Sequence, residues 1–352
     1  MRKTAFTPAW CAFSQPIEPT LSKSIDMIIV TGATGFIGSN IVADLNARGR
    51  TDLLLVDDLG TQGKWKNIAK RRFLDIVDYR KLDGLLPTLK KADAVFHMGA
   101  NSSTTSTDGD EILEVNLHAS MAWWNWCTRT GTPLIYASSA ATYGDGTQGF
   151  NDDQNLEALD KLAPLNLYGW SKHQFDKWAI ERAAEGNCPP QWAGMKFFNV
   201  YGPNEYHKGD MKSLVAKNTE LIARGETIKL FKSHKEGYVD GGQLRDFVYV
   251  KDCTAVMLWL MDHPLHSGLF NLGTGAARSF VELMQAIGQA LGKSVNIEYV
   301  DMPESIRPNY QYFTQAEMQK LKGQQMSIAF HSLEAGVADY VNNFLIASDC
   351  YR

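Results

Sequence analysis

The chain has 352 residues, of which 44% are hydrophobic and 21% are charged, and its formal net charge at pH 7 is −4. This composition is typical of a globular protein with a substantial core, and it excludes disordered and fibrous chains. The chain has neither a long basic run nor an apolar stretch of roughly 20 residues, so we expect no nucleic-acid partner and no membrane span.

Five scattered cysteines without a C-x-x-C pair predict reduced thiols and a cytoplasmic location. The eight histidines show neither H-x-x-x-H nor H-E-x-x-H spacing, so we expect no metal site. Residues 1–26 lack the clean apolar core of a signal peptide, and we predict a loosely ordered N-terminal extension before the fold begins at Met27.

The predicted elements of the first half alternate between strands and helices. Continuous apolar runs predict buried strands at 27–31, 52–56, 94–98 and 134–138. Apolar positions at helical spacing predict a helix at 36–48, and a tryptophan-rich helix is predicted at 111–129. This alternation predicts an α/β fold built on a doubly wound parallel sheet of Rossmann type.

The pattern loosens after about residue 150. Further elements are predicted in this order: a helix at 168–184, a strand at 192–199, loops at 201–210 and 233–243, and strands at 246–250 and 269–272. We therefore predict a Rossmann domain formed by 27–198 plus about 246–275. A smaller α/β substrate lobe would comprise 199–245 plus 276–352.

A G-x-x-G-x-x-G run at 32–38 lies between the first predicted strand and helix. Glycines permit a tight turn and close backbone approach, so the helix N-terminus can hold a pyrophosphate. Asp57 ends the next strand, where a carboxylate can accept a hydrogen bond from the adenosine ribose. Lys64 can pair with a 2′-phosphate and favours NADP, whereas the second carboxylate, Asp58, repels that phosphate and favours NAD.

Tyr168 and Lys172 form a Y-x-x-x-K pair on one face of a predicted helix. A cationic lysine beside a phenol favours phenolate, which lowers the phenol pKa from about 10. Tyr168 can therefore accept the proton of an alcohol that is being oxidised, while Lys172 holds the nicotinamide ribose. Ser139 follows a predicted strand, and its hydroxyl can bind the same substrate oxygen.

Together these motifs are similar to those of the extended short-chain dehydrogenases/reductases that act on nucleotide sugars. The chain most closely resembles the ADP-L-glycero-D-manno-heptose 6-epimerase family, from Met27 to about Phe344. The segments that carry this resemblance are 32–40, 97–105, 136–144, 168–172, 198–203, 207–209, 245–250, 270–275 and 310–315. The S-S-T-T stretch at 102–105 and the H-K-G stretch at 207–209 are specific to that family, as is F-T-Q-A at 313–316.

The resemblance implies a cytoplasmic, homo-oligomeric (pentameric) enzyme of lipopolysaccharide core heptose biosynthesis with tightly bound NADP. Its reaction would be transient oxidation of C6″ of ADP-D-glycero-β-D-manno-heptose to a ketone, followed by hydride return to the opposite face. Chemistry at two faces needs two acid/base groups, and the resemblance implies Tyr168 and Lys208. Judged by its residue type alone, Lys208 is a solvated loop lysine. Ser139 would position the reacting hydroxyl, and Lys172 would tune Tyr168.

The resemblance also implies a set of binding residues. The implied cofactor-binding residues are Gly32, Gly35, Phe36, Ile37, Gly38, Asp57, Asp58, Lys64, Met98, Gly99, Ala100, Asn101, Ser102, Asn116, Tyr168, Lys172 and Val200. The implied substrate-binding residues are Ser139, Asn199, Asp210, Lys217, Phe231, Lys232, Ser233, His234, Arg245 and Tyr310.

The chain departs from the family pattern at four places. Asp58 replaces the usual Asn, which leaves NAD as an alternative to NADP. Lys196 replaces Arg, Asp210 replaces a small polar residue, and the loop at 233–245 is several residues longer, which puts the diphosphate-binding edge in doubt.

Three other functions remain open at this stage. A UDP-hexose 4-epimerase would share the superfamily motifs but not the His207-Lys208 loop. A 4,6-dehydratase needs an acidic pair after the serine, where this chain has Ala140 and Ala141. A catalytically silent NADP-binding regulator would have no need of an intact serine, tyrosine and lysine.

Overall fold

The computed structural model describes residues 27–264, 266–304, 306–307 and 310–352. The predicted extension at 1–26 lies outside the described residues. The strands are β1 (Ile28–Thr31), β2 (Leu53–Val56), β3 (Asp75–Val77), β4 (Ala94–His97), β5 (Leu134–Ser139), β6 (Trp192–Phe197), β7 (Asn199–Tyr201), β8 (Ile228–Phe231), β9 (Leu244–Arg245), β10 (Phe247–Tyr249), β11 (Gly268–Leu272), β12 (Arg278–Ser279) and β13 (Ile297–Val300). The helices are α1 (Phe36–Ala47), α2 (Leu82–Leu85), α3 (Gly109–Ile112), α4 (Ala119–Thr130), α5 (Leu156–Leu159), α6 (Leu167–Ala184), α7 (Leu214–Ala223), α8 (Val250–Asp262), α9 (Phe280–Leu291), α10 (Gln319–Lys322) and α11 (Leu333–Tyr340).

Seven strands form one parallel sheet in the order β11-β6-β5-β4-β1-β2-β3. Every residue of β1, β2 and β4 is buried, because these apolar strands are covered on both faces. The chain reverses its direction of travel across the sheet between β1 and β4, which is where doubly wound folds open a ligand crevice. The predicted Rossmann-type α/β fold is confirmed.

The predicted strand at 192–199 is wrong at its end, because the chain leaves the central sheet at Phe198. The Phe198 N–H donates to the carbonyl of Leu272 at 3.1 Å, and the next N–H, of Asn199, donates to Asp246 at 3.0 Å. The following residues form β7, which pairs in parallel with β10 in a separate two-stranded sheet. The predicted strand at 246–250 is correspondingly shorter, since Val250 already begins α8.

The tryptophan-rich helix predicted at 111–129 is interrupted. Residues Leu113–His118 form a π-helical turn between α3 and α4. The hydroxyl of Ser120 donates to the Asn116 carbonyl at 2.6 Å within this region. The wider turn places the side chain of Asn116 beneath the loop that follows β4, where it bonds both backbone groups of Asn101.

A second group of elements packs beside the sheet. Helices α7, α9 and α11 and the parallel pair β8–β13 share an apolar core that includes Val215, Ile222, Leu283 and Val337. None of the helices in the described ranges combines the length and apolar character that crossing a membrane requires.

The core behind α4 depends on Trp124, which is fully buried. The centre of its ring lies 5.2 Å from that of Trp192 and 6.2 Å from that of Phe175, and its indole N–H donates to the Asn187 carbonyl.

We expect Trp124→Ala to reduce the free energy of unfolding by about 3–5 kcal/mol, because it leaves a large cavity. Urea denaturation would measure this, with Trp65→Ala as the control, since Trp65 is 53% exposed and should change stability by less than about 0.5 kcal/mol. Equal losses in both variants would contradict this account of the core.

Candidate active site

A cavity of about 830 Å³ opens at the carboxyl ends of β1, β2, β4, β5 and β6. Most of the residues implied by the sequence line it. Those that do so are Gly32, Gly35, Phe36, Ile37, Gly38, Asp57, Asp58, Lys64, Met98, Gly99, Ala100, Asn101, Ser102, Ser139, Tyr168, Lys172, Asn199, Val200 and Lys208. Asn116 is fully buried beneath the cavity rather than on its wall, and it also donates to Ser171 at 3.0 Å.

The glycine run brings backbone segments close enough to exclude side chains. Gly32 has a positive φ of 61°, and a Cβ there would lie 2.7 Å from the Gly99 nitrogen. A Cβ on Gly38 would lie 2.2 Å from the Gly32 carbonyl oxygen. Helix α1 begins here with no side-chain cap and no acidic residue in its first turn. Its free N–H groups therefore suit a pyrophosphate, and the site fits a dinucleotide.

Asp57 connects the glycine run to β2. One carboxylate oxygen accepts from the backbone N–H and the hydroxyl of Thr34, at 2.8 and 2.6 Å. The other accepts from the Asp58 N–H at 2.8 Å and from Lys64 at 3.1 Å. The Lys64 ammonium also bonds the side chain of Asp58. Burial alone would lower the pKa of Lys64, but the two carboxylates raise it, so this lysine stays charged.

The catalytic candidates of α6 face the cavity one turn apart. Lys172 is buried, and desolvation lowers its pKa to about 8. Burial raises the pKa of Tyr168, although a hydrogen bond with Ser139 opposes this rise. The sequence argument expected a lowered pKa for Tyr168. In the structure the loss of hydration outweighs the interactions that favour phenolate.

A buried ion pair lies beneath these residues and was not predicted. Asp176 follows Lys172 by one helical turn, and its carboxylate lies 2.8 Å from the ammonium of Lys196. Neither side chain is exposed to solvent. Asp176 also accepts from Ser138 at 2.6 Å, and Lys196 donates to Thr142 at 2.8 Å. The pair therefore fixes the end of β5, next to Ser139, against the helix that carries Tyr168. The four-residue spacing of 168, 172 and 176 was the available signal.

His97 was recognised only as part of a motif, yet it lines the cavity. The hydroxyl of Ser120 is engaged with a carbonyl, so His97 Nε2–H donates to its oxygen at 2.9 Å. His97 Nδ1 then accepts from the Thr31 hydroxyl at 2.7 Å. Burial, followed by the charge of Lys172, lowers the His97 pKa to about 3 and keeps the ring neutral. His207 was likewise recognised only within a motif, and other lining residues that the sequence argument missed include Gln62, Tyr79, Glu111, Lys212, Ser213 and Phe280.

Lys208 lines the same cavity from another part of the chain, the short 3₁₀ helix Tyr206–Met211. Its ammonium is 5.4 Å from the centre of the Phe36 ring. Burial lowers the pKa of Lys208, although Glu205 acts in the opposite direction. A lysine whose pKa is lowered in a cavity is better suited to proton transfer than a solvated one.

The remaining implied substrate residues do not line this cavity. The guanidinium carbon of Arg245 lies 5.3 Å from the centre of the Tyr310 ring and 5.6 Å from that of Phe280. The ring centres of Phe231 and Tyr310 are 6.3 Å apart. The guanidinium already donates to the carbonyls of Leu244 and Gln311. This cluster adjoins the cavity through Phe280, which lines it.

The other implied residues make surface contacts. Lys217 donates to the Asp210 carbonyl at 2.6 Å, and Lys232 pairs with Asp301 at 3.4 Å. The Ser233 N–H donates to Asp240 at 2.8 Å, and the His234 ring accepts from the Met302 N–H at 3.3 Å. Within the described residues, no three His, Cys, Asp or Glu side chains are grouped as metal ligands.

The chain is similar to known proteins in both sequence and structure. The model of the NAD dependent epimerase/dehydratase family matches residues 28–273. A Fusobacterium nucleatum protein named ADP-L-glycero-D-manno-heptose-6-epimerase is 47% identical over 334 residues, which cover 92% of this chain and all of that protein.

Solved structures agree with this similarity. The crystal structure of Helicobacter pylori ADP-L-glycero-D-manno-heptose-6-epimerase has a TM-score of 0.74 at 26% identity and covers 90% of this chain and 96% of its own. Thermus thermophilus UDP-glucose 4-epimerase, in complex with NAD, has a TM-score of 0.68 at 26% identity and covers 90% of this chain and 98% of its own.

We expect Gly38→Ala to abolish tight dinucleotide binding, raising the Kd at least about 100-fold, because the new Cβ collides with the Gly32 carbonyl oxygen. Titration calorimetry with NAD and NADP would measure the change. The matched control is Gly84→Ala, because a Cβ there meets no atom within 4 Å. Unchanged affinity in Gly38→Ala would show that the dinucleotide binds elsewhere.

Proposed function

The chain belongs to the NAD dependent epimerase/dehydratase family, and on this premise we propose that it is an ADP-L-glycero-D-manno-heptose 6-epimerase. It inverts C6″ of ADP-D-glycero-β-D-manno-heptose, a step that supplies the L-glycero form for lipopolysaccharide core heptose. The observation that carries the proposal is a single cavity with two proton-transfer candidates on different elements, Tyr168 on α6 and Lys208 opposite Phe36.

Tyr168 and Ser139 act on the substrate hydroxyl. Ser139 binds the oxygen, and Tyr168 accepts its proton as the alcohol is oxidised. To accept that proton Tyr168 must first be a phenolate, and because burial raises its pKa, the neighbouring charge of Lys172 is needed to stabilise the phenolate before the transfer. Lys172 remains only partly charged near pH 8, which limits this assistance at alkaline pH.

Lys208 serves the opposite face of the intermediate ketone. Re-reduction at that face generates an alkoxide, and a nearby ammonium can donate the proton that it needs. The depressed pKa of Lys208 makes this proton easier to release than that of a solvated lysine. The glycine run, Asp57 and Lys172 would hold the nicotinamide dinucleotide, which would supply a hydride acceptor and donor for C6″.

The cofactor is a nicotinamide dinucleotide, and we propose NADP, with NAD as the alternative. Lys64 supports NADP because its charge is retained at the end of β2. Asp58 acts against it because its carboxylate already pairs with that ammonium. Asp58 is therefore the residue that weakens discrimination between the two cofactors.

The proposal includes a cytoplasmic homo-oligomer, and both features stay predictions.

We expect purified protein to convert ADP-D-glycero-β-D-manno-heptose to its L-glycero epimer, observed by proton NMR. Tyr168→Phe and Lys208→Met should each lower kcat by about 10²–10⁴-fold, because each removes one proton-transfer group. The controls are Tyr299→Phe and Lys229→Met, which change exposed side chains of the same types outside the cavity. Absence of epimer with both NADP and NAD would overturn the proposal. Interconversion of UDP-hexoses instead would point to a 4-epimerase.

We expect wild-type protein to bind NADP more tightly than NAD, and Asp58→Asn to increase that preference about tenfold. The substitution removes a negative charge that opposes a 2′-phosphate, an effect on the order of 1–2 kcal/mol at a partly exposed site. Fluorescence titration with each dinucleotide would measure both values. Asp83→Asn changes an exposed carboxylate of α2 and serves as the control. A wild-type preference for NAD would contradict the NADP assignment.

A further inference from the structure

Residues 349–352 lie against the segment that carries Lys208. Asp349 pairs with Lys70 at 2.5 Å, and the Cys350 carbonyl accepts from the Tyr206 hydroxyl at 2.7 Å. The ring of Tyr351 meets that of Tyr206 edge to face at 5.3 Å. The Lys208 segment is thus anchored at Tyr206, two residues before the lysine.

Arg352 adds a second anchor through its backbone. Its N–H donates to the side-chain oxygen of Asn204 at 3.0 Å. Asn204 is fully buried with a positive φ of 74°, an uncommon conformation for a residue other than glycine. Its amide nitrogen donates to Ser39 at 3.0 Å, and its carbonyl accepts from Asn67 at 3.1 Å.

The side chain of Arg352 provides a third anchor, on α1. Its guanidinium binds both carboxylate oxygens of Asp44 and donates to the side-chain oxygen of Asn40 at 3.2 Å. The amide nitrogen of Asn40, oriented by this bond, donates to the carbonyls of Phe36 and Pro203, each at 2.9 Å. One arginine is therefore linked to the first residue of α1 and to the start of the loop that carries Lys208.

These contacts explain how Lys208 is held over the cavity. The Lys208 ammonium lies over the ring of Phe36. The backbone carbonyls of Phe36 and Pro203 both accept from the amide nitrogen of Asn40. Asn67 extends the network by donating to the Thr34 carbonyl at 2.8 Å and to the His207 ring at 3.2 Å. The network holds the loop at Asn204 and His207, directly before Lys208, and the buried carboxylate of Glu205 ties the same segment to Ser213.

We propose that the guanidinium of Arg352 is a positioning group for Lys208, acting through Asn40 and Asp44, while the backbone N–H of the same residue holds Asn204. This inference depends on the proposed proton-transfer role of Lys208. Without the guanidinium, the Asn40 amide loses the bond to its oxygen and keeps only the two bonds from its nitrogen, to Phe36 and Pro203, so the connection between α1 and the start of the loop is weakened. Displacement of a proton-transfer group by about 1 Å is enough to slow catalysis strongly.

The first test is a double-mutant cycle on epimerisation. We expect Arg352→Ala to lower kcat about tenfold with KM changed less than twofold, and Arg352→Lys to recover part of the loss. In the Lys208→Met background, Arg352→Ala should add less than about a twofold loss. The matched control is Arg48→Ala, because Arg48 directly follows α1 and pairs with Asp262 at an exposed site. Full activity of Arg352→Ala, or losses that multiply in the double variant, would overturn the inference.

The second test is amide hydrogen exchange, which does not depend on activity. In Arg352→Ala, exchange should become at least about tenfold faster at residues 204–212 and stay unchanged in α9. In Arg48→Ala, both regions should exchange as in the wild type. Unchanged exchange at 204–212 would overturn the positioning role. If exchange increases there but Lys208→Met is fully active, the proposed catalytic role of Lys208 fails instead, and with it the functional consequence of the anchor.

Discussion

At the end of β1 the backbone at Gly32 packs directly against the backbone at Gly99, and the site depends on this contact. Gly32 approaches Gly99, which follows the neighbouring strand β4, and Gly38 lies over the Gly32 carbonyl, so neither Gly32 nor Gly38 has room for a side chain. The close approach presents the N-terminus of α1 directly to the cavity. Asp57 keeps the turn in this shape by accepting two hydrogen bonds from Thr34. Steric exclusion and one carboxylate thereby create an anion-binding surface from main-chain atoms.

Charge burial organises the other wall of the cavity. Lys172 and Lys196 are both buried within reach of Asp176, so one carboxylate balances two ammonium groups. Asp176 pairs directly with Lys196 and only partly compensates Lys172, which is why burial lowers the pKa of Lys172 although Asp176 acts in the opposite direction. Perturbed lysines of this kind are concentrated at functional sites.

The sequence specified the parallel sheet, the glycine run and the Tyr168–Lys172 pair because each is a local pattern of fixed period. The departure of the chain at Phe198 was not predictable, since it is set by hydrogen bonds to residues far along the chain. The same holds for the Asp176–Lys196 pair, whose partners are joined only by tertiary packing. Arg245 was identified from a motif, but its stacking on aromatic rings beside the cavity required the structure.

The network around Asn204 also has a consequence for the order of folding. Asp44 and Arg352 are 308 positions apart, so their contact closes a loop that includes nearly the whole described chain. Contacts of such long range form late, because the entropy of loop closure opposes them until the intervening structure exists. A nascent chain can therefore form the glycine run of β1 and α1 early, whereas the contacts of Arg352 with Asn40 and Asp44 form only after residue 352 has been synthesised. If Lys208 has the proposed role, its final position is reached later than the shape of the glycine run.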